Sequence, residues 1–107
     1  MTRTTLARLA VLSALLEDPL GHHYGLEIAK SAGLATGTVY PILARLEADG
    51  WVESEWEAID EAAEGRRRRR YYTMTPLGAT AAEAERRSVA RMLEQRNFTP
   101  GLAGGLA

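Results

Sequence analysis

The hydrophobic period of this chain changes at Gly50 from helical to two, and that change limits the folds open to it. Before Gly50 apolar residues recur at spacings of three and four, which suits helices with one buried face. Leu6, Leu9, Ala10, Leu12, Ser13 and Leu16 predict an amphipathic first helix, capped by Thr4 or Thr5 and stopped by Asp18-Pro19 and Gly21. His22, His23 and Tyr24 are expected to open a short second helix carrying Leu26, Ile28 and Ala29. Gly33 should end it in the left-handed conformation that glycine adopts readily. A third helix follows almost at once, with Thr36 as its expected N-cap, Val39, Ile42, Leu43 and Leu46 as its buried stripe, and Gly50 as its stop. Pro41 lies one turn inside and removes a backbone donor, so a distorted first turn is expected, not a broken helix.

After Gly50 the period is two. Trp51, Glu53, Glu55 and Glu57 alternate with Val52, Ser54 and Trp56; beyond Gly65, Arg70, Tyr72 and Met74 alternate with Tyr71 and Thr73. This predicts a β-hairpin with a long, mobile tip. Thr75-Pro76 is an N-cap followed by proline at the first helical position, and a last helix is expected to about Gln95. Helix, helix, helix, hairpin, helix describes a mainly α winged helix-turn-helix with a small β-hairpin and an added C-terminal helix. The expected divisions are a winged-helix domain over 1–75, a dimerisation helix over 76–96 and a flexible tail over 97–107.

Charge and composition narrow the function. The 107 residues suit one domain, and 13 Lys plus Arg against 14 Asp plus Glu leave a net charge of −1. That balance excludes a uniformly basic nucleic-acid binder. It conceals a sharp separation, however. Arg66 to Arg70 are consecutive, and eight carboxylates lie between Glu47 and Glu64. With no cysteine there is no disulfide, thiolate metal site or thiol nucleophile. His22-His23 lacks further ligands to complete a metal set, and no nucleophilic triad or phosphate-cradling glycine loop is present. Neither a cofactor nor enzymatic activity is expected. No apolar run nears the roughly 20 residues of a membrane span, so a soluble cytoplasmic protein without a membrane partner is the expectation.

If the third helix buries Val39, Leu43 and Leu46, its opposite side carries Gly37, Pro41, Ala44 and Ala48. All are small or compact, so the helix backbone can approach a grooved partner closely. Thr38 and Arg45 flank that strip on one side, Tyr40 and Glu47 on the other. The major groove of B-DNA admits such a helix. The plainer alternatives are that Thr36 only caps the helix and that Tyr40 only packs on the wing. Arg66, Arg67 and Arg68 at the tip are expected to meet phosphate or the minor groove. Arg69 and Arg70 are divided evenly between that role and pairing within the hairpin.

Thr38-Val39-Tyr40-Pro41-Ile42-Leu43-Ala44-Arg45-Leu46-Glu47, followed by Gly50-Trp51-Val52, resembles the central motif of PadR-family transcriptional regulators. The likeness extends through Tyr24 to Ala29, Gly65-Arg66, Tyr71-Tyr72 and Thr75-Pro76-Leu77-Gly78, about Leu6 to Arg87 in all. It implies a homodimeric DNA-binding repressor whose third helix enters the major groove. Thr36, Thr38 and Tyr40 would be its helix contacts and Arg66, Arg67 and Arg68 its wing contacts. Leu6, Leu9, Ala81, Ala84, Ser88 and Met92 would form the dimer surface. Two departures stand out: Leu26 replaces a frequent aromatic residue, and the last helix lacks tryptophan for stacking a drug. The chain resembles the shorter subfamily with one C-terminal helix. A small-molecule inducer is a possible further partner, of unknown identity. Two other readings compete: a winged-helix protein-interaction module without DNA, and RNA binding, which is weakened because no base-stacking aromatic platform accompanies the arginines.

Overall fold

In the computed structural model, which describes residues 5–97, helix α1 spans Leu6–Leu16. The Arg8 N–H donates to the Thr5 hydroxyl oxygen at 3.1 Å, so Thr5 is the cap. The buried face differs from expectation. Arg8, Val11, Leu12, Ala14 and Leu15 point inward, whereas Leu6 is 84% exposed. This helix is apolar almost all round, so two overlapping stripes satisfy helical spacing, and packing against the neighbouring helices selects between them.

The second helix, α2, spans Gly25–Ala32 and starts later than expected. His23–Tyr24 instead form a short strand, β1, beside β3 (Arg70–Met74). His23 faces Tyr72 and Tyr24 faces Tyr71, antiparallel. With β2 (Val52–Trp56) on the other side of β3, the expected hairpin becomes a three-stranded sheet in the order β1-β3-β2. Val52 pairs with Met74 and Trp56 with Arg70.

Helix α3 spans Thr36–Ala48 and buries Val39, Leu43 and Leu46 of its expected stripe, with Ile42 half-buried against the core. Its N-cap is Ala35, with no side-chain cap bond, so Thr36 is the first helical residue and not the cap. Ala35 already has the extended backbone of a cap position, which places the hydroxyl of Thr36 one residue too late. Pro41 leaves the helix unbroken. In the first turn the Ala35 carbonyl accepts from both Thr38 (3.0 Å) and Val39 (3.1 Å), a local 3₁₀-type tightening.

Between β2 and β3 the expected mobile tip contains a capped helical turn, α4 (Glu61–Glu64). Asp60 Oδ1 accepts from Ala62 and Ala63 N–H, and Gly65 closes the turn at φ 69°. Thr75 caps α5 (Pro76–Asn97): its Oγ1 accepts from Gly78 N–H at 3.0 Å and donates to the Gly50 carbonyl at 2.7 Å. Apart from Asn97, which ends α5, the tail expected over 97–107 lies outside the described residues.

The core joins α1, α2, α3 and β2 through Leu12, Leu15, Ile28, Leu43, Leu46 and Val52, all buried. Each contributes about 1.5–3 kcal/mol by leaving water. Gly78 and Ala82 set the inner line of α5 against it. Arg8 is buried with them: its Nε lies 3.2 Å from Glu85 Oε2, and its guanidinium carbon is 4.8 Å from the Trp51 ring centre.

Candidate nucleic-acid interface

Helix α3 presents Gly37, Pro41, Ala44 and Ala48 to solvent, with Thr36, Thr38, Tyr40 and Arg45 exposed around them. Val39, Leu43 and Leu46 anchor the opposite side, so the strip is rigidly held. Arg45 is 62% exposed and only loosely paired, 3.7 Å from Asp49 one turn on. Glu47 turns toward the wing and accepts from the Ser54 hydroxyl at 2.7 Å.

The five arginines are not equivalent. Arg66, expected at phosphate, is the most tightly paired. It donates to both oxygens of Glu57, at 2.7 and 3.3 Å. Arg68 and Arg69 reach carboxylates only at 3.7 Å (Glu61) and 3.5 Å (Glu57). Arg70 donates to Ser54 Oγ at 2.7 Å and lies 3.7 Å from Glu47. Arg67 makes no ion pair among the described residues, and its side of the tip is exposed. Pairing within the hairpin therefore falls on Arg66 as well as on Arg69 and Arg70.

Glu57 organises this tip, although nothing in its local sequence marks it for the role. Besides Arg66, it accepts from the Tyr24 hydroxyl at 3.0 Å and from the Arg69 N–H at 2.9 Å. The Glu57 N–H donates to the Arg69 carbonyl in return, at 2.9 Å. The Arg66 hydrogen bonds come first among the causes that hold the Glu57 carboxyl at about 2, below its usual 4.5, against the opposing cost of burial. The same carboxylate, by accepting from Tyr24, raises that hydroxyl above 10.0. A carboxylate whose folded value is depressed stabilises above its unfolded value and loses that contribution as pH falls through the folded one. The stability difference between wild type and Glu57→Gln should therefore be full at neutral pH and shrink between about pH 4.5 and 2. Chemical denaturation of both proteins across that range measures it; a constant difference would contradict the assignment.

Around these arginines the fold collects aromatic rings from four elements. Tyr24 of β1, Tyr40 of α3, Trp56 of β2 and Tyr72 of β3 line a cavity of about 470 Å³ that Arg68, Arg69 and Arg70 also border. The expectation that the arginines lack an aromatic platform is thus corrected. Local sequence hid it, because the rings come from segments far apart in the chain. Arg69 lies 4.0 Å over the Tyr24 ring. Gly25 is what admits Tyr40: a Cβ there would overlap the tyrosine ring and hydroxyl.

Of the residues expected at a dimer surface, Leu6, Ala84, Ser88 and Met92 are exposed, and Leu9 and Ala81 are half-buried. Leu77 and Leu93 add apolar surface on α5, 62% and 55% exposed. Helix α5 is about 33 Å long at 1.5 Å per residue, and from Arg86 to Gln95 its residues are exposed apart from half-buried Val89.

A helix face of small residues, packed on α1 and α2 beside the arginine-bearing wing of a three-stranded sheet, defines a winged helix-turn-helix protein. Residues 11–84 match the transcriptional regulator PadR-like family, and the chain belongs to it. It is similar to the transcriptional regulator Rv3488 of Mycobacterium tuberculosis, 39% identical over 62 residues, which are 58% of this chain and 53% of that protein. The chain thus spans about half the length of that relative. A PadR family regulator of Clostridium difficile R20291 is 27% identical, with a TM-score of 0.63 over 85% of this chain and 97% of that one. Bordetella bronchiseptica BpsR, whose DNA binding is regulated by 6-hydroxynicotinic acid, shares the fold at 24% identity. Its TM-score is 0.66 over 96% of this chain and 74% of its own.

Proposed function

We propose that the chain is a sequence-specific DNA-binding repressor that acts as a homodimer on a pseudo-palindromic operator. The observation that carries this is the α3 surface: a rigid strip of small residues flanked by exposed Thr36, Thr38, Tyr40 and Arg45, beside the wing arginines. Thr36, freed from capping, keeps its hydroxyl for a phosphate at the helix N-terminus. The exposed Leu6, Met92 and Leu93 suit burial against a second copy, and two-fold symmetry then calls for half-sites about one helical turn apart. BpsR, with its regulating small molecule, favours an inducer here too, of unknown identity. Family membership favours this reading over a protein-interaction module without DNA.

The experiment is fluorescence anisotropy with DNA from upstream of the coding region, at several salt concentrations. Wild type is expected to bind with two chains per site. Tyr40→Ala should weaken operator binding about tenfold or more, the range by which one base is discriminated, while random-sequence DNA changes far less. Equal weakening on both DNAs would remove Tyr40 from base reading. No binding to any upstream fragment would favour the interaction module.

The wing is tested separately. Neutralising Arg67 and Arg68 should flatten the salt dependence by about one unit of slope for each phosphate that the variant no longer neutralises. Arg66→Gln should act chiefly by loosening the Glu57 cluster. An unchanged slope in the Arg67 and Arg68 variants would assign these side chains to the hairpin alone.

A further inference from the structure

We propose that the cavity between α3 and the wing binds a free nucleoside phosphate. Its wall combines aromatic surface with guanidinium groups. Tyr40 and Trp56 line it at 43% and 56% exposure, with the Arg70 guanidinium 5.9 Å over the Trp56 ring, so aromatic surface is available to a planar ring. Arg68, Arg69 and Arg70 border the same space, whose one acidic liner is Glu27; their own carboxylate partners, Glu61, Glu57 and Glu47, stand outside it at 3.5–3.7 Å.

Those guanidinium groups are held by long ion pairs, and Arg70 also by two hydrogen bonds to Ser54 Oγ at 3.0 and 2.7 Å. Glu57 spends its short hydrogen bonds on Arg66, Tyr24 and the Arg69 N–H, so the Arg69 guanidinium keeps only a 3.5 Å approach. Arg68 and Arg70 meet their carboxylates at 3.7 Å. A phosphate with three acceptor oxygens is a better partner for such a set than these distant carboxylates are. The volume, about 470 Å³, falls within the 300–1,000 Å³ common for small-molecule sites. A ring stacked on Tyr40 or Trp56, a phosphate on the arginines and a ribose or amino donor on Glu27 would use every kind of group in the wall. Simple arene carboxylates leave Glu27 without a donor.

Because Tyr40 and Arg68 also belong to the proposed DNA surface, a bound nucleotide excludes operator. That consequence rests on the regulatory reading above; nucleotide binding itself does not.

The test titrates the full chain, free of DNA, with AMP, adenosine, inorganic phosphate and a short single-stranded oligonucleotide. Calorimetry and tryptophan emission are the readouts. AMP should bind about tenfold or more tighter than adenosine or phosphate alone, since each of these engages only one side of the wall. Emission should be quenched in wild type and in Trp51→Phe but not in Trp56→Phe. Tyr40→Ala and Arg68→Gln should each weaken AMP about tenfold; thermal melts establish that both are folded, and Arg68→Gln, at an exposed site, decides the matter if Tyr40→Ala is not. AMP binding no tighter than adenosine or phosphate, or unmoved by these variants, overturns the proposal, as does an oligonucleotide that outcompetes AMP at the same residues. Operator binding without AMP binding sinks this inference alone. AMP binding without operator binding sinks the regulatory reading alone.

Discussion

Gly78→Ala is expected to destabilise the domain by about 2 kcal/mol or more, lowering its thermal midpoint by on the order of 10 °C. Gly78 is the third residue of α5, and it sits against the backbone of Trp51. A Cβ added there would overlap the Trp51 carbonyl oxygen and Cα. A backbone neighbour cannot rotate aside as a side-chain tip would, so α5 or β2 must shift. Alanine's helical advantage, at most about 1 kcal/mol over glycine, offsets only part of that cost. Gly37→Ala is the control, because its Cβ would meet nothing within 4 Å. It should be neutral or stabilising by up to about 1 kcal/mol. Both are measured by thermal denaturation at one protein concentration, since self-association makes any midpoint concentration-dependent. A Gly78→Ala midpoint close to wild type would mean that α5 docks differently.

The same close approach has a functional side. Trp51 stands between the helix that would read DNA and the wing. Its N–H donates to the Leu46 carbonyl of α3 at 2.9 Å, and its own carbonyl accepts from Thr75 N–H at 3.0 Å. Gly78 lets α5 press directly on that junction, so α5, α3 and β2 meet at one backbone segment.

How much of this was legible in the sequence depends on whether the signal was local. The α3 stripe was, because Val39, Ile42, Leu43 and Leu46 fall on one helical face while the opposite side is small or polar; Ile42 is only half-buried, at the edge of the core. So was the Thr75-Pro76 start of α5, where cap and proline make a local pattern. The face of α1 was not. Leu6 to Leu16 offers apolar residues in every direction, and a stripe read only from apolar residues passes over Arg8. Allowing one cation into the stripe gives Arg8, Val11, Leu12 and Leu15, which is the face observed.

The sheet shows the limit in another way. Two residues, His23 and Tyr24, form a strand only because β3 supplies a partner about 47 positions away, and no local pattern announces that. Helix α4 did have local marks, Asp60 before it and Gly65 after it, but one polar turn reads as loop. The Glu57 cluster and the aromatic cavity are tertiary in origin. Tyr24, Trp56 and the arginines meet through the register of β1, β2 and β3, and Tyr40 joins them through the packing of α3 on Gly25, neither of which composition encodes. Net charge near zero therefore coexists with a cavity wall that carries three arginines against one glutamate.

Arg8→Ala is expected to cost about 3 kcal/mol, the scale seen when one partner of a buried ion pair is removed. The Arg8 side chain is 8% exposed and that of Glu85 18%, so the remaining carboxylate is largely cut off from water. The variant also removes the guanidinium from the face of the Trp51 ring. Replacing both partners by methionine removes the stranded charge and keeps apolar volume between α1 and α5. Arg8→Met with Glu85→Met should therefore recover most of the stability, and can approach that of wild type. Arg8→Lys should fall between, since an ammonium keeps the charge but neither lies flat on tryptophan nor donates from a fixed Nε. Urea denaturation of the three variants and wild type, at one protein concentration, orders them. The order expected is Ala below Lys below the double variant. A double variant as unstable as Arg8→Ala would instead trace the destabilisation to the guanidinium on Trp51 and the packing around it, because no buried carboxylate would then remain to account for it.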